Sequence, residues 1–218
     1  MSARRLVDSL ADVRLENVFN PYSDRCAKFD LPDGPTIRRQ ALRAYFEAVR
    51  STGTETAWMG RDLGHKGGRR TGLALTDEHH LPLLAASYPG IRLSRATHGP
   101  VWVERTATEI WRFLVTLRVA PLLWNVFPLH PHVAEQPFSN RKFLAGELRL
   151  VHALNVEILS WLGVTRIVAI GQDAANYGRT IGMDVVKVRH PSYGGVAEFR
   201  SSIGSLYGIA SGRVPRLP

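Results

Sequence analysis

Apolar residues recur along the chain with two spacings, and each spacing predicts one kind of secondary structure. Near the amino terminus, helical spacing joins Leu6, Leu10 and Val13, and the pattern stops at Pro21. Residues 35–53 carry an apolar stripe of helical period, begin with proline and end in glycine, which commonly caps a helix. Both segments are therefore predicted to be helices.

Four short and nearly continuous apolar runs predict buried strands. They are 54–60, 121–127, 166–171 and 184–190. Helical patterns separate them at 106–118, 141–163 and 173–182, and Thr106 and Glu109 have the spacing of a capping box. Strands that alternate with helices form a parallel sheet covered on both faces, because each crossover places a helix on the sheet. We therefore predict an α/β fold with three layers, αβα, around a central four-stranded parallel sheet.

The length of the chain favours one domain, because 218 residues supply one sizeable core and are few for two. No apolar run approaches the roughly 20 residues that a membrane helix needs. The first residues also lack the apolar core of a signal peptide. We expect a single domain over 1–218 in a monomeric, cytoplasmic protein that does not contact a membrane.

Cysteine content and charge restrict the partners of the chain. The single cysteine, Cys26, excludes internal disulfides and any all-cysteine zinc or iron–sulfur site within one chain. Lys and Arg number 28 against 19 Asp and Glu, which gives a formal net charge of +9. Much of the excess is arginine, whose planar guanidinium suits phosphate. Nucleic acid is the natural partner, although many basic proteins bind none.

Polar and glycine-rich segments follow all four predicted strands. In chain order they read "GRDLGH", "NVFPLHP", "GQDAANYG" and "HPSYGG". The carboxyl ends of parallel strands meet at one edge of the sheet, which is where α/β folds bind their ligands. The sequence therefore predicts a functional site at this edge.

Two polar residues in these segments also have ordinary explanations. Asp62 can cap the next turn, or pair with Arg69 or Arg70. His190 can be a buried histidine at a strand end. Asn125 is different, because it lies inside an apolar strand and a buried amide left unpaired costs about 1–3 kcal/mol. An asparagine in such a place often binds a ligand.

Taken together, the segments resemble the uracil-DNA glycosylase superfamily. "GRDLGHKGGRRTGL" matches its water-activating motif of glycine, polar residue, aspartate, two residues and histidine, with Gly-Leu seven positions beyond the histidine. "HPSYGG" matches its His-Pro-Ser motif, and Asn125 in "LLWNVF" matches the strand asparagine that recognises the base. The motifs follow the family's order over about 57–199. A "GQD" at 171–173 reproduces the best-known opening of the family motif but lacks the histidine and the Gly-Leu, so Asp173 is predicted to cap a helix.

The resemblance implies a monofunctional DNA glycosylase of base-excision repair, which flips uracil out of single- or double-stranded DNA and hydrolyses its N-glycosidic bond. Asp62 would stabilise the cationic sugar and orient or deprotonate the attacking water. His190 would donate a hydrogen bond to the anionic base, and Asn125 would pair with its amide edge. We expect no cofactor and no metal, because the histidines at 79–80 and 130–132 have no matching carboxylates or cysteines nearby.

Further contacts are assigned to residues that surround these three. For the base they are Gly60, Arg61 and a stacking aromatic, either Phe19 or Tyr22. For the DNA backbone they are His65, Lys66, Arg69, Arg70, Ser192, Tyr193, and the main-chain amides of Gly194 and Gly195. A solvated surface position is the alternative for Arg69 and Arg70.

Departures from the family motifs leave the substrate open. Leu63 and Gly64 stand where the best-known branch has Pro-Tyr, whose tyrosine excludes thymine. Either another side chain supplies that barrier, or the pocket accepts hypoxanthine, xanthine or a mispaired pyrimidine. Tyr193, followed by two glycines, either replaces the family's wedge leucine or indicates a preference for open strands. A catalytically silent nucleic-acid binder is an alternative of a different class, and an assay of base release separates it from an enzyme.

Overall fold

The computed structural model of the chain describes residues 1–210 and 214–215. The helices are α1 (Ala3–Ala11), α2 (Gly34–Thr52), α3 (Gly68–Thr71), α4 (Leu81–Ser87), α5 (Arg105–Leu114), α6 (Ala145–Trp161), α7 (Gln172–Thr180) and α8 (Val196–Tyr207). The strands are β1 (Val18–Phe19), β2 (Thr56–Asp62), β3 (Leu122–Phe127), β4 (His130–Pro131), β5 (Arg166–Ile170) and β6 (Asp184–Val188). Within these described residues, no helix combines the length and the apolarity that crossing a membrane requires.

The centre of the fold is a four-stranded sheet of order β3-β2-β5-β6, in which all neighbours run parallel. Every residue of β3 is buried, as expected for a strand of near-continuous apolar sequence. Helix α6 packs on β3, α7 lies across β5 and β6, and α8 contacts β6. The predicted α/β class, the four strands and the αβα layers are confirmed. The single-domain organisation over 1–218 stays a prediction.

Helix α2 matches its prediction. Gly53, which follows its last residue, has a φ of 65°, the left-handed conformation of a helix cap. Helix α1 is shorter than predicted and stops at Ala11. The chain turns away there because the buried amide of Asn20 donates to the carbonyls of Leu10 and Val13, at 2.7 and 3.0 Å. Strand β1 then pairs with β4.

Two helix starts differ from the prediction because distant side chains set them. The predicted capping box at Thr106 is wrong, since α5 begins one residue earlier and the Glu109 carboxylate binds Arg200 of α8 at 2.7 Å. Helix α6 begins at Ala145 instead of residue 141. Its Glu147 carboxylate accepts from the backbone N–H of the residue before the helix and pairs with Arg141, which stays outside the helix. Helix α8 was not predicted.

Candidate active site

Strand register brings the predicted site residues to one edge of the sheet. Gly60 of β2 lies opposite Asn125 of β3, and Asp62 lies opposite the last residue of β3. On the other side, the Gly171 amide donates to the last carbonyl of β6 at 2.9 Å. A side chain at Gly171 would reach to 3.7 Å from Cβ of His190. The four strand ends therefore lie along one edge of the sheet.

Asn125 is 1% exposed, and neither its Oδ1 nor its Nδ2 has a hydrogen-bond partner within the described part of the chain. Gly60 leaves room for this amide, because a Cβ at residue 60 would lie 2.6 Å from Oδ1. A buried amide without partners costs about 1–3 kcal/mol, and such a group in a native fold indicates a bound ligand or water. Asn125 therefore has an unpaired donor and an unpaired acceptor, which complement a planar ligand that carries an acceptor and a donor side by side.

Leu75 lies beside the same amide. A Cβ at Gly60 would be 2.8 Å from Cδ2 of Leu75. The backbone of Leu75 has a φ of 55°, which is uncommon for a residue other than glycine and typical of functional sites. The sequence pattern did not indicate that Leu75 packs beside Asn125, so this contact was missed.

Asp62 ends β2 with a side chain that is only 8% exposed. Its Oδ2 accepts a hydrogen bond from Nε of Arg61 at 2.6 Å, so the alternative pairing with Arg69 or Arg70 is wrong. Burial raises the pKa of Asp62, and the hydrogen bond and charge of Arg61 only partly offset this. A desolvated carboxylate of raised pKa is a stronger base toward water than an exposed aspartate.

His190 is held as a hydrogen-bond donor. The backbone N–H of Ser192 donates to its Nδ1 at 3.1 Å, so the ring proton lies on Nε2. Burial lowers the pKa of His190, and the positive charges of Arg61 and Arg189 lower it further. The ring is therefore neutral at pH 7, and its Nε2–H is free to donate to a developing anion.

The loop after His190 differs in part from the prediction. Tyr193 is 99% exposed with a φ of 53°, and Gly194 follows with a φ of 80°. The Gly195 amide donates to the Ser192 carbonyl at 3.1 Å, so its predicted contact with DNA is wrong. A side chain at residue 195 would collide with the His190 carbonyl at 2.1 Å, which explains the glycine.

Asp173 lies in the first turn of α7, whose cap residue is Gly171, so the predicted capping role is wrong. Its carboxylate forms an ion pair with Lys142 and is 30% exposed. The negative charge near the amino end of α7 is favourable to the helix dipole. Asp173 is near enough to Asp62 that its charge contributes to raising the pKa of that carboxyl.

Arg69 and Arg70 are each 5% exposed, so the alternative of a solvated surface is wrong. Nε of Arg70 donates to Glu78 at 2.9 Å and its Nη2 donates to Thr97 at 2.8 Å. Arg69 donates to the Pro137 carbonyl. Both guanidinium groups thus hold loops together, and their contact with DNA stays a prediction.

The remaining predicted contacts differ in accessibility. Lys66 is exposed, while His65 is half-buried with its backbone N–H bound to Asn140 at 2.9 Å. Tyr22 is 1% exposed and donates its hydroxyl proton to the Gly72 carbonyl at 2.8 Å, so it is closed to a base. Phe19 is 7% exposed, and the guanidinium groups of Arg69 and Arg38 lie 4.0 and 5.7 Å from its ring centre. Neither aromatic residue is therefore open to a base in this structure.

Glu104, half-buried just before α5, carries a carboxyl group that sequence reasoning missed. A Cβ at Gly64 would lie 2.8 Å from its Oε1, and a Cβ at Gly67 would lie 2.5 Å from its Oε2. Two glycines of the "GRDLGHKGG" loop therefore lie against this carboxyl group. Burial raises the pKa of Glu104 to about 7, the charge of Asp77 adds to this, and hydrogen bonds from the backbone of Gly67 and Lys66 lower it in part.

We expect Glu104→Gln to change how stability depends on pH. A group whose pKa rises on folding contributes stability below its unfolded pKa and loses that contribution as pH rises through its folded pKa. From an ordinary value of 4.5 to about 7, the loss amounts to about 3 kcal/mol. The neutral glutamine has no such loss, so chemical denaturation should show the variant gaining on the wild type between pH 4.5 and 8.

Glu147→Gln is the control with the opposite sign. Burial raises the pKa of Glu147, but the hydrogen bonds and charge of Arg141 outweigh it and lower the pKa overall. This carboxylate contributes stability at neutral pH, and the contribution is lost in acid. The variant should therefore be less stable than the wild type at pH 7. If the free energy of unfolding depends on pH in the same way for the wild type and for Glu104→Gln, the raised pKa of Glu104 is contradicted.

Across residues 1–210 and 214–215, no group of three or more His, Cys, Asp or Glu side chains is arranged to hold a metal ion. His80, one of the histidines considered for such a site, is fully buried and pairs with Asp77 at 2.6 Å. His130 is also buried, and its Nε2 lies 2.9 Å from the Ser139 carbonyl.

Comparisons with known proteins bear on the fold. No family model matches the sequence, and no curated protein matches it. Eleven solved chains match by structure. Among them, SMUG2 from Pedobacter heparinus aligns with a TM-score of 0.61 at 12% identity, over 95% of this chain and 96% of that one. The chain therefore has the fold of SMUG2, and the fold that the motif resemblance predicted is confirmed.

Proposed function

We propose that the protein is a DNA glycosylase that releases uracil by hydrolysing the N-glycosidic bond. The observation that carries this proposal is the buried amide of Asn125, whose donor and acceptor both lack a partner within the described chain, at the edge where Asp62 ends β2. The similarity of the fold to SMUG2 supports the same class of enzyme. Action as a monomer in the cytoplasm stays a prediction.

Recognition of the base follows from the chemistry of the amide. Uracil presents an N–H next to a carbonyl oxygen on one edge, which complements the Oδ1 acceptor and the Nδ2 donor of Asn125. Gly60 leaves space on one side of the amide and Leu75 packs beside it, and both polar atoms of the amide are buried in the free protein. A base flipped out of the DNA stack therefore gains two hydrogen bonds with an amide that has no partner within the described chain.

Bond breaking places positive charge on the sugar and negative charge on the leaving base. The desolvated carboxylate of Asp62 stabilises the first charge and orients or deprotonates the attacking water. The Nε2–H of His190 donates to the anionic base oxygen, since Ser192 occupies Nδ1. Because water is the nucleophile, the product is an abasic site with an intact strand, as expected of a monofunctional enzyme.

Contacts with the DNA backbone are proposed for the exposed side chain of Lys66, for Ser192 and for the Gly194 amide. The side chain of Tyr193 is almost fully exposed at the tip of its loop. An aromatic ring in that position is suited to enter the space that a flipped nucleotide leaves. We assign Tyr193 the role of the wedge.

The choice of uracil over larger bases rests on Glu104. In the best-known branch of the family, a tyrosine at the position of Gly64 excludes the thymine methyl. Here the Glu104 carboxyl lies 2.8 Å from the place that a Cβ of residue 64 would take. Another side chain thus fills the space beside Gly64. This contact favours a narrow pocket over one that accepts hypoxanthine, xanthine or a mispaired thymine.

The test is base release from oligonucleotides that carry one uracil, in single strands and in duplexes. Alkali cleaves the strand where a base has been lost, so the wild type should give a product at the uracil position only. Matched oligonucleotides with hypoxanthine, xanthine or a mispaired thymine measure the base specificity. DNA binding without any abasic product would contradict the proposal and indicate a silent binder.

A further inference from the structure

A cleft with a volume of about 210 Å³ lies beside the proposed active site. We call it the aromatic cleft and define it by the side chains of Lys28, Phe29, Lys66, Trp102 and Phe138. Asp62, Asn125 and His190 do not line it. It therefore belongs to a different binding position from that of the flipped base.

Aromatic rings and ammonium groups alternate around the aromatic cleft. Nζ of Lys28 lies 5.3 Å from the ring centre of Phe29 and 5.5 Å from that of Phe138. Nζ of Lys66 lies 5.1 Å from the ring centre of Trp102. Trp102 is 36% exposed, so its ring is accessible from solvent. The guanidinium groups of Arg69 and Arg70 lie over Phe138 and Phe29, at 4.9 and 4.8 Å from the ring centres, so Trp102 is the most exposed ring of the cleft.

The charge that is available in the aromatic cleft is positive. Lys28 and Lys66 are exposed and form no ion pair within the described residues. Asp30 also borders the cleft, but its carboxylate is bound by Nη1 and Nη2 of Arg38 at 3.0 and 2.5 Å. A ligand that fits has a planar ring system and a negative group close to it.

We propose that the aromatic cleft binds a second, unstacked nucleotide of the same DNA strand, next to the nucleotide whose base is released. Its base stacks on Trp102, and its phosphate contacts Lys28 and Lys66. This inference rests on the proposed function for the identity of the strand.

The position of the cleft fits an adjacent nucleotide. Lys66 borders the cleft and follows Asp62 by four residues in one loop, a span of at most about 14 Å of extended chain. One strand can therefore reach both places. A neighbouring nucleotide that is paired in a duplex must unstack before it enters, so the cleft favours single-stranded or distorted DNA.

The experiment measures binding of a short, fluorescently labelled oligothymidylate, which contains no uracil and is not cleaved. Base–aromatic stacking contributes about 1–3 kcal/mol per base, so Trp102→Ala should weaken binding about tenfold. Trp102→Phe keeps a ring and should restore most of the affinity. Lys66→Ala should reduce the slope of log affinity against log salt by about 0.7, the value for one phosphate contact on a single strand.

Arg50→Ala is the matched control for Lys66→Ala. The Arg50 guanidinium also lies over a tryptophan, 4.3 Å from the ring centre of Trp161, but Trp161 ends α6 outside the aromatic cleft. Its removal should leave the affinity and the salt slope unchanged. Equal effects of Arg50→Ala and Lys66→Ala, or unchanged binding by Trp102→Ala, would overturn the inference.

These experiments distinguish failure of the aromatic-cleft proposal from failure of the proposed glycosylase function. Loss of oligothymidylate binding in Trp102→Ala supports the cleft even if the wild type releases no uracil. Release of uracil by a wild type whose binding is insensitive to Trp102 overturns the cleft and leaves the glycosylase. If both hold, Trp102→Ala should raise KM for a single-stranded uracil substrate about tenfold with little change in kcat, because the residue is not at the reacting bond.

Discussion

Asp62→Asn is expected to lower the rate of uracil release by about a thousandfold. Asparagine keeps the size and a hydrogen-bond acceptor for Arg61, but it carries no negative charge for the cationic sugar and accepts no proton from water. The loss should appear in single-turnover experiments with saturating enzyme, which report the chemical step. Binding of the uracil-containing strand should change little.

Asp173→Asn is the matched control, because Asp173 is the aspartate of the "GQD" at 171–173 and lies near Asp62. Its carboxylate is 30% exposed and pairs with Lys142, whereas the side chain of Asp62 is 8% exposed. We expect Asp173→Asn to retain most of the activity. If Asp173→Asn is the variant that loses base release and Asp62→Asn keeps it, the catalytic carboxylate is Asp173.

The pH profile gives the Asp62 prediction a second readout. The ionised form is the active one, and burial raises the pKa of Asp62 above its ordinary value of 3.8. Base release should therefore decline as pH falls, with a midpoint above the ordinary pKa of an aspartate. Asp62→Asn should lack this step in its residual activity.

The sheet was predictable from the sequence because its strands are buried on both faces. Each of the four strands is a short apolar segment of the sequence. Because helices alternate with these strands, only a few sheet topologies are possible. Helix ends were less predictable, because partners distant in sequence set them. Arg200 binds Glu109 across 91 positions, and Asn20 binds the Leu10 carbonyl in the last turn of α1. No local pattern contains such pairs.

The candidate site also contains residues that local sequence predicts and residues that it does not. Asp62 and Asn125 were predictable because each ends or interrupts an apolar strand, and parallel strands bring their carboxyl ends together. Glu104 was not, because it precedes an amphipathic helix and only the folded loop places it against Gly64 and Gly67. The burial of Arg70 was not predictable either, because its partner Glu78 lies outside the glycine-rich loop that contains Arg70.

Asn125→Leu is expected to remove activity and to stabilise the fold. Leucine has a similar size but no polar atoms, so the uracil edge is left without partners and base release should fall about a hundredfold or more. In the free protein, the same change removes a buried amide that has no described partner. The free energy of unfolding should rise by about 1–2 kcal/mol.

Asn155→Leu is the control that separates these effects. Asn155 is as buried as Asn125, but its Oδ1 accepts from Nε1 of Trp124 and its Nδ2 donates to the Val126 carbonyl, both at 2.7 Å. Its replacement leaves both partners unpaired and should destabilise the fold by about 2 kcal/mol or more. Destabilisation by Asn125→Leu of the same size would mean that its amide serves the fold. Stabilisation together with lost activity assigns it to the ligand.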